Sequence, residues 1–156
     1  MEKKILILSV VIIVLICFGS YFVIKSDFEK VKEVNYSNNG YDADIDYEIE
    51  DIQYNKNNIV IKAWIVEIGS ENKYINRSIL LKDSSGKIIS IKTESQERED
   101  LVEKNTEKTS YKKSGLIARV NKSKLTATGK YKIGFSIINQ QGLEKIIFTD
   151  KTIEIN

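Results

Sequence analysis

The sequence contains no histidine and no proline, and its one cysteine, Cys17, lies in an apolar run near the N-terminus. Without histidine, a Ser-His-Asp triad, imidazole acid–base catalysis and histidine metal ligation are excluded. A lone cysteine excludes an intramolecular disulfide, and the absence of proline excludes cis-proline turns and polyproline linkers. No catalytic or cofactor-binding motif is present, so we expect a non-enzymatic protein without a cofactor.

Charges of the two signs nearly balance, with 24 Lys and Arg against 22 Asp and Glu. A balanced chain has no strong field that would attract nucleic acid. Arginine is the residue best suited to bidentate phosphate and base contacts, and it occurs only as Arg77, Arg98 and Arg119. We therefore expect no nucleic-acid partner.

Residues 5–24 contain no charged side chain, and Lys3 and Lys4 precede them. A helix of this length rises about 30 Å, the thickness of the hydrocarbon core of a bilayer. We predict a single-pass transmembrane anchor at residues 5–24, a cytoplasmic tail at residues 1–4, and the rest of the chain outside the cell membrane.

Two alternatives to an anchor compete for the N-terminal segment. A cleaved signal peptide would be cut after Gly19, but residues 21–24 remain apolar beyond that point. A lipoprotein signal at Cys17 needs a small residue before the cysteine, where this chain has Ile16. Both alternatives would leave a secreted or lipid-linked binding domain.

After the anchor, residues 25–42 are predicted to be a stalk or linker. Phe28, Val31 and Val34 follow at helical spacing, and a cluster rich in Asn, Ser and Gly then ends the helix. From residue 43 to residue 156 the chain consists of short strand patterns separated by turn signals. This alternation of strands and turns predicts an all-β domain, an Ig-like antiparallel β-sandwich of about seven strands.

Two strand patterns carry more detail. In residues 43–54, the apolar positions are first odd-numbered and then even-numbered, which predicts a β-bulge near Glu50 and Asp51. Residues 59–68 are apolar on both faces and suit a central strand. Residues 130–138 alternate most clearly, with an inward face of Tyr131, Ile133, Phe135 and Ile137.

Residues 111–137 resemble the last half of Ig-like accessory domains attached to Gram-positive surface-polymer glycosyltransferases. The matching features are the connection of residues 125–131, the Arg98-Glu99-Asp100 triplet and the Ala63-Trp64 pair. The chain departs from the family pattern in having Ala63 for a glycine, and Leu116 for an aromatic residue. The resemblance implies a binding or scaffolding role in a cell envelope and carries over no catalytic residue.

Two candidate sites emerge. Asp42, Asp44 and Asp46 belong to an acidic comb that could form a loose Ca²⁺ site, although a charged edge strand explains the pattern more simply. The polar residues 94–114 form the one long connection, and long loops on rigid sandwiches often carry function. On this loop we select Arg98, Asp100 and Tyr111 as ligand-binding candidates.

These observations predict a membrane-anchored, extracytoplasmic interaction or scaffold module of a Gram-positive-type envelope. Residues 5–24 would contact the membrane, and the domain would bind a cell-wall polymer or another envelope protein. The alternative is an envelope glycan hydrolase that uses carboxylates alone, which would require two facing carboxyls at about 5 to 10 Å.

Overall fold

A computed structural model describes residues 2–28, 31–34, 43–72, 76–106, 109–125 and 129–155. One long helix precedes nine strands in these ranges, and two short 3-10 helices, Glu99–Lys104 and Lys122–Lys124, lie between strands. The helix and strands are α1 (Glu2–Phe28), β1 (Val31–Glu33), β2 (Ile45–Tyr54), β3 (Asn58–Glu67), β4 (Asn76–Lys82), β5 (Ile88–Ile91), β6 (Thr93–Gln96), β7 (Gly115–Asn121), β8 (Gly129–Ile138) and β9 (Glu144–Ile155).

The strands form two sheets, and every pairing is antiparallel. The five-stranded sheet has the order β1-β5-β4-β8-β9, and the four-stranded sheet has the order β2-β3-β7-β6. The predicted all-β sandwich is thus confirmed. The acidic strand β2 lies at an edge of its sheet, as its charge pattern indicates.

The main core lies between the two sheets. From the four-stranded sheet, Ile59, Ile61 and Ile65 of β3 are fully buried in it. From the other sheet, the predicted inward face of β8 is confirmed, because Tyr131, Ile133, Phe135 and Ile137 are all buried there. Since side chains alternate across a strand, these two stripes meet face to face and exclude water.

The predicted bulge in β2 is also confirmed. Ile49 pairs with Ala63 and Asp51 pairs with Lys62, so Glu50 is the extra residue. The bulge restores the phase of the strand, and both Ile49 and Ile52 therefore pack against the main core. Glu50 has no partner residue in the ladder, and its side chain is exposed.

Two strands were missed by the periodicity argument. Residues 31–33 were expected to extend the helix as part of a stalk, but they form β1, where Val31 pairs with Ile91 and packs on the core. Burial of Val31 overrides its helical spacing. Residues 93–96 were assigned partly to the polar loop, but they form β6 at the edge of the four-stranded sheet.

β6 follows β5 after one residue, although the two strands belong to different sheets. Thr93 stabilises this change of sheet. Its hydroxyl donates to the Ile91 carbonyl at 2.9 Å and accepts from the Ile79 N–H at 2.9 Å. The Thr93 side chain thus satisfies the Ile91 carbonyl and the Ile79 N–H at the point where the chain passes from one sheet to the other.

Helix α1 contains the apolar run, and its side chains are described from Ser9 to Val23. All of these side chains are exposed. Within the described part of the chain, no helix is both long and apolar enough to span a bilayer.

Candidate binding site on the outer face of the four-stranded sheet

A single cross-strand row organises the outer face of the four-stranded sheet. Glu48 of β2 pairs with Trp64 of β3, and Trp64 pairs in turn with Gly115 of β7. Gly115 pairs with Gln96 of β6. Directly opposed residues point to the same face, so this row places a carboxylate, an indole and a glycine side by side outside the main core.

The connection between β6 and β7 folds back over this row. Leu101 and Tyr111 pack on Trp64 and Val66, which form a second hydrophobic cluster distinct from the main core. Trp64 is only 2 % exposed, although it points away from the other sheet. The long polar loop is therefore a cover for the sheet, and β3 is apolar on both faces because both faces are covered.

Polar contacts attach the C-terminal half of this cover to β3 and to the turn that follows it. The Gly69 N–H donates to Thr109 Oγ1 at 2.8 Å, and the Ile65 N–H donates to the Ser114 carbonyl at 3.1 Å. Within the loop, the Tyr111 N–H donates to Asn105 Oδ1 at 2.6 Å. The loop therefore presents Tyr111 to the sheet in one defined position.

Three acids of β2 each bind a different partner on this face. Asp46 Oδ2 accepts from the Tyr111 hydroxyl at 2.9 Å, and Glu48 Oε2 accepts from Trp64 Nε1 at 3.2 Å. Glu50, the bulge residue, accepts from both terminal nitrogens of Arg98 at 2.7 and 2.6 Å. These acidic side chains of β2 thus form hydrogen bonds that hold the covering loop, in addition to marking β2 as an edge strand.

Arg98 joins two carboxylates at once. Besides Glu50, it donates from Nε and Nη2 to the two oxygens of Asp100, at 2.9 and 2.6 Å. Its aliphatic stem lies over Gly115, where a Cβ atom would come within 2.8 Å of Arg98 Cγ. Only glycine at position 115 leaves room for this arginine.

These contacts shift the protonation equilibria of the site. Hydrogen bonds to Asp100 and then Glu50 raise the pKa of Arg98. The hydrogen bond from Arg98 lowers the pKa of the Asp100 carboxyl. Desolvation, followed by the hydrogen bond to Asp46, raises the pKa of Tyr111. Arg98 is a permanent cation, and Tyr111 remains a neutral donor up to strongly alkaline pH.

Lys104 is the last member of the site, and its ammonium group lies over the Trp64 ring. Its ammonium nitrogen lies 4.5 Å from the centroid of the Trp64 ring and 6.0 Å from that of Tyr111. The two rings stand edge to face, with centroids 5.7 Å apart and planes at 65°. Lys104 therefore sits at the corner that the two rings form.

The three candidates from the sequence, Arg98, Asp100 and Tyr111, do belong to one surface. Arg98 and Asp100 contact each other, whereas Tyr111 lies over Trp64 and is only 6 % exposed. Their role in ligand binding stays a prediction. Four of the five guanidinium N–H groups of Arg98 already donate to carboxylates, so an anion that binds through two hydrogen bonds would have to displace one of them.

The two residues of the calcium candidate that the structure describes make separate contacts. Asp42 lies outside the described residues, the Asp44 carbonyl accepts from the Ile68 N–H, and Asp46 binds Tyr111. In the described ranges, no group of three or more Cys, Asp or Glu residues is placed to hold a metal ion.

Sequence reasoning missed the partners that complete this surface. The sequence singles out Trp64 only as part of the Ala63-Trp64 pair, and in the structure it is buried in the outer cluster. Glu50 could have been found, because the phase slip in β2 locates the one residue that leaves the ladder. No sequence signal identifies Lys104, whose position depends on how the loop folds.

Comparisons with known proteins add little to this geometry. No family model and no curated protein matches the chain. Among solved structures, the chain is similar to the crystal structure of a DUF4426 family protein from Pseudomonas aeruginosa PAO1. That similarity has 13% sequence identity and a TM-score of 0.41, and covers 80% of this chain and 96% of the other.

Proposed function

We propose that this protein is an interaction or scaffold module of a Gram-positive-type cell envelope, anchored in the membrane by residues 5–24, with its sandwich outside the cell. The observation that carries the proposal is the covered outer face of the four-stranded sheet. There a loop rich in charged groups is held in one position by Arg98 and Tyr111. A fixed, polar, loop-built surface on a rigid sandwich is how binding domains present their contacts.

The carboxylates favour binding over glycan hydrolysis. Asp46, Glu48 and Glu50 each accept a hydrogen bond from a different side chain and follow one another along one strand. The hydrolase alternative instead requires two carboxyls that face each other across a cleft.

We infer that the sandwich is of the Ig-like type. With β2 to β9 taken as strands A, B, C, C′, D, E, F and G, the sheet orders become A-B-E-D and C′-C-F-G. Tyr131 near the start of β8 occupies the place of the corner tyrosine in such domains, and its ring packs close to Gly129. This topology supports the resemblance to envelope accessory domains.

The membrane anchor is supported by the character of α1. Its described large apolar side chains are exposed by 48% to 69%, from Val11 and Ile12 to Val23. Contact of these apolar side chains with the hydrocarbon core of a bilayer is favourable, whereas their exposure to water is unfavourable. Lys25 follows the apolar run and suits the interface.

Topology is tested by protease treatment of intact cells that express the full chain with a C-terminal tag. We expect the tag and the sandwich to be digested without lysis. Protection in intact cells, with digestion only after lysis, would place the sandwich in the cytoplasm and contradict the proposal.

Binding is tested by crosslinking in a Gram-positive host, followed by capture of wall polymers and membrane proteins on the tagged full chain. We expect Asp100→Ala, which alters the exposed rim of the site, to reduce capture, and Asp150→Ala, which removes another exposed acid on β9, to leave it unchanged. Release of reducing sugar from wall glycan by the protein would support the hydrolase instead. Equal capture by both variants would show that the partner binds elsewhere.

A further inference from the structure

The aromatic corner on the outer sheet face already holds a cation. The Lys104 ammonium lies 4.5 Å from the Trp64 centroid, and the Tyr111 ring closes the corner from the side. Cations are attracted to aromatic faces because the ring quadrupole is negative there, and Trp is the strongest such surface. The corner therefore has the chemistry of an ammonium-binding site.

The two acids behind the rings strengthen this chemistry. Trp64 donates its indole N–H to Glu48, and Tyr111 donates its hydroxyl to Asp46. Each bond places a negative charge at the rim of a ring and so favours a cation in front of it. Among the residues that the structure describes, no carboxylate forms an ion pair with Lys104, so the rings themselves hold its ammonium group.

Lys104 can leave this position at low cost. It is the last residue of the 3-10 helix Glu99–Lys104, in which no residue is buried, and its own side chain is exposed. Rotation of its flexible stem would vacate the position over the Trp64 ring and leave the main core intact, because the second cluster lies outside the two sheets. The site can therefore open by a local movement of one side chain.

We propose that the corner of Trp64 and Tyr111 binds the organic ammonium group of a ligand, and that Lys104 is an internal competitor which fills the corner when no ligand is present. The ligand class is a small alkylammonium or quaternary ammonium group, free or carried as a headgroup. This inference rests on the proposed function, since it concerns the same loop, and it specifies the chemistry that the loop recognises.

The test uses the full chain in maltoside micelles and the fluorescence of Trp64, the one tryptophan of the protein. Choline is the probe, and its uncharged isostere 3,3-dimethyl-1-butanol is the control ligand at equal ionic strength. We expect choline to change the emission and to bind Lys104→Ala about tenfold more tightly than the native chain, because the competitor is gone. The isostere should change neither protein.

Matched variants separate competition from loosening of the loop. Lys104→Arg keeps a cation over the rings and should bind choline as weakly as the native chain. Lys113→Ala removes another exposed lysine of the same loop and should also behave as native. Free choline and glycerophosphocholine are titrated in parallel with micelles that carry choline headgroups. A response to the free compounds indicates a soluble ligand, whereas a response to the micelles alone indicates a lipid surface.

Three results would overturn the inference: no response to choline in either protein, equal affinities for the native chain and Lys104→Ala, or equal binding of the isostere. Far-ultraviolet circular dichroism of Lys104→Ala checks that the sandwich is intact. If these results occur while envelope partners are still captured, the proposed function stands and this inference alone fails. If choline behaves as expected and no envelope partner is captured, the proposed function fails.

Discussion

The two hydrophobic clusters of this protein differ in what holds them together. The main core is closed by two sheets whose strands alternate, and its fully buried side chains are almost all aliphatic. The outer cluster is closed by a loop, and its aromatic members, Trp64 and Tyr111, both hydrogen-bond to acids of β2. The first cluster gains its stability from a large buried apolar area, whereas the second depends on a few polar contacts, and we expect it to open without the first.

The largest expected effect tests the main core. Phe135→Ala empties a fully buried ring position and should lower the free energy of unfolding by about 3 to 5 kcal/mol. Leu101→Ala, in the partly buried cover, should lower it by only about 1 kcal/mol. Urea denaturation followed by circular dichroism measures both. Similar losses at the two positions would mean that the clusters form one cooperative unit.

The next effect tests the attachment of the loop. Arg98→Met keeps the stem over Gly115 but removes the bonds to Glu50 and Asp100, so we expect a loss of about 1 to 3 kcal/mol. Amide exchange in the loop of residues 99–114 should accelerate, while β8 keeps its protection. The control is Arg119→Met, at an exposed position of β7. Unchanged loop exchange would contradict the assigned role of Arg98.

A smaller effect concerns Tyr111 at alkaline pH. Its pKa is raised in the folded protein, so its contribution to stability is fully present below pH 10 and is lost as the pH rises through the folded value. Tyr111→Phe should cost about 1 kcal/mol at neutral pH and remove this alkaline component. Denaturation curves at several pH values measure it, with Tyr54→Phe on exposed β2 as control. An identical alkaline decline in Tyr111→Phe would show that another group causes it.

The smallest effect concerns Asp100 at acid pH. Because its pKa is lowered in the folded protein, its contribution is present above the unfolded value and is lost as the pH falls through the folded one. Below about pH 4 we expect faster amide exchange in Glu99–Lys104, and Asp100→Asn should abolish this dependence. Asp150→Asn on β9 should retain it. A native loop whose amide exchange is independent of pH would contradict this role of Asp100.

The same comparison explains how far the sequence predicts the fold. The stripe Tyr131, Ile133, Phe135 and Ile137 and the bulge at Glu50 follow from local alternation, and both are confirmed. β1 was missed because Val31 has helical spacing, and only its pairing with Ile91 shows that it is a strand. Short edge strands gain their stability from the neighbouring strand, which a local pattern does not contain.

The candidate site was harder to predict than the core. Arg98 and Tyr111 were selected because a long polar loop often carries function, yet their partners are Glu50 and Asp46, far away in sequence. The sequence does not distinguish Lys104 from the many other lysines, because its position over Trp64 depends on how the loop folds. Contacts of this kind are set by the closure of the loop and not by periodicity.

The two terminal strands of the sandwich have a mechanical consequence. The three-residue β1 and the 12-residue β9 are the opposite edges of the same sheet. Tension applied between Val31 and Ile155 therefore crosses the whole five-stranded sheet, and its weakest ladder is the short one at Ile91. Under such tension we expect β1 to detach first, while the core between the two sheets stays closed.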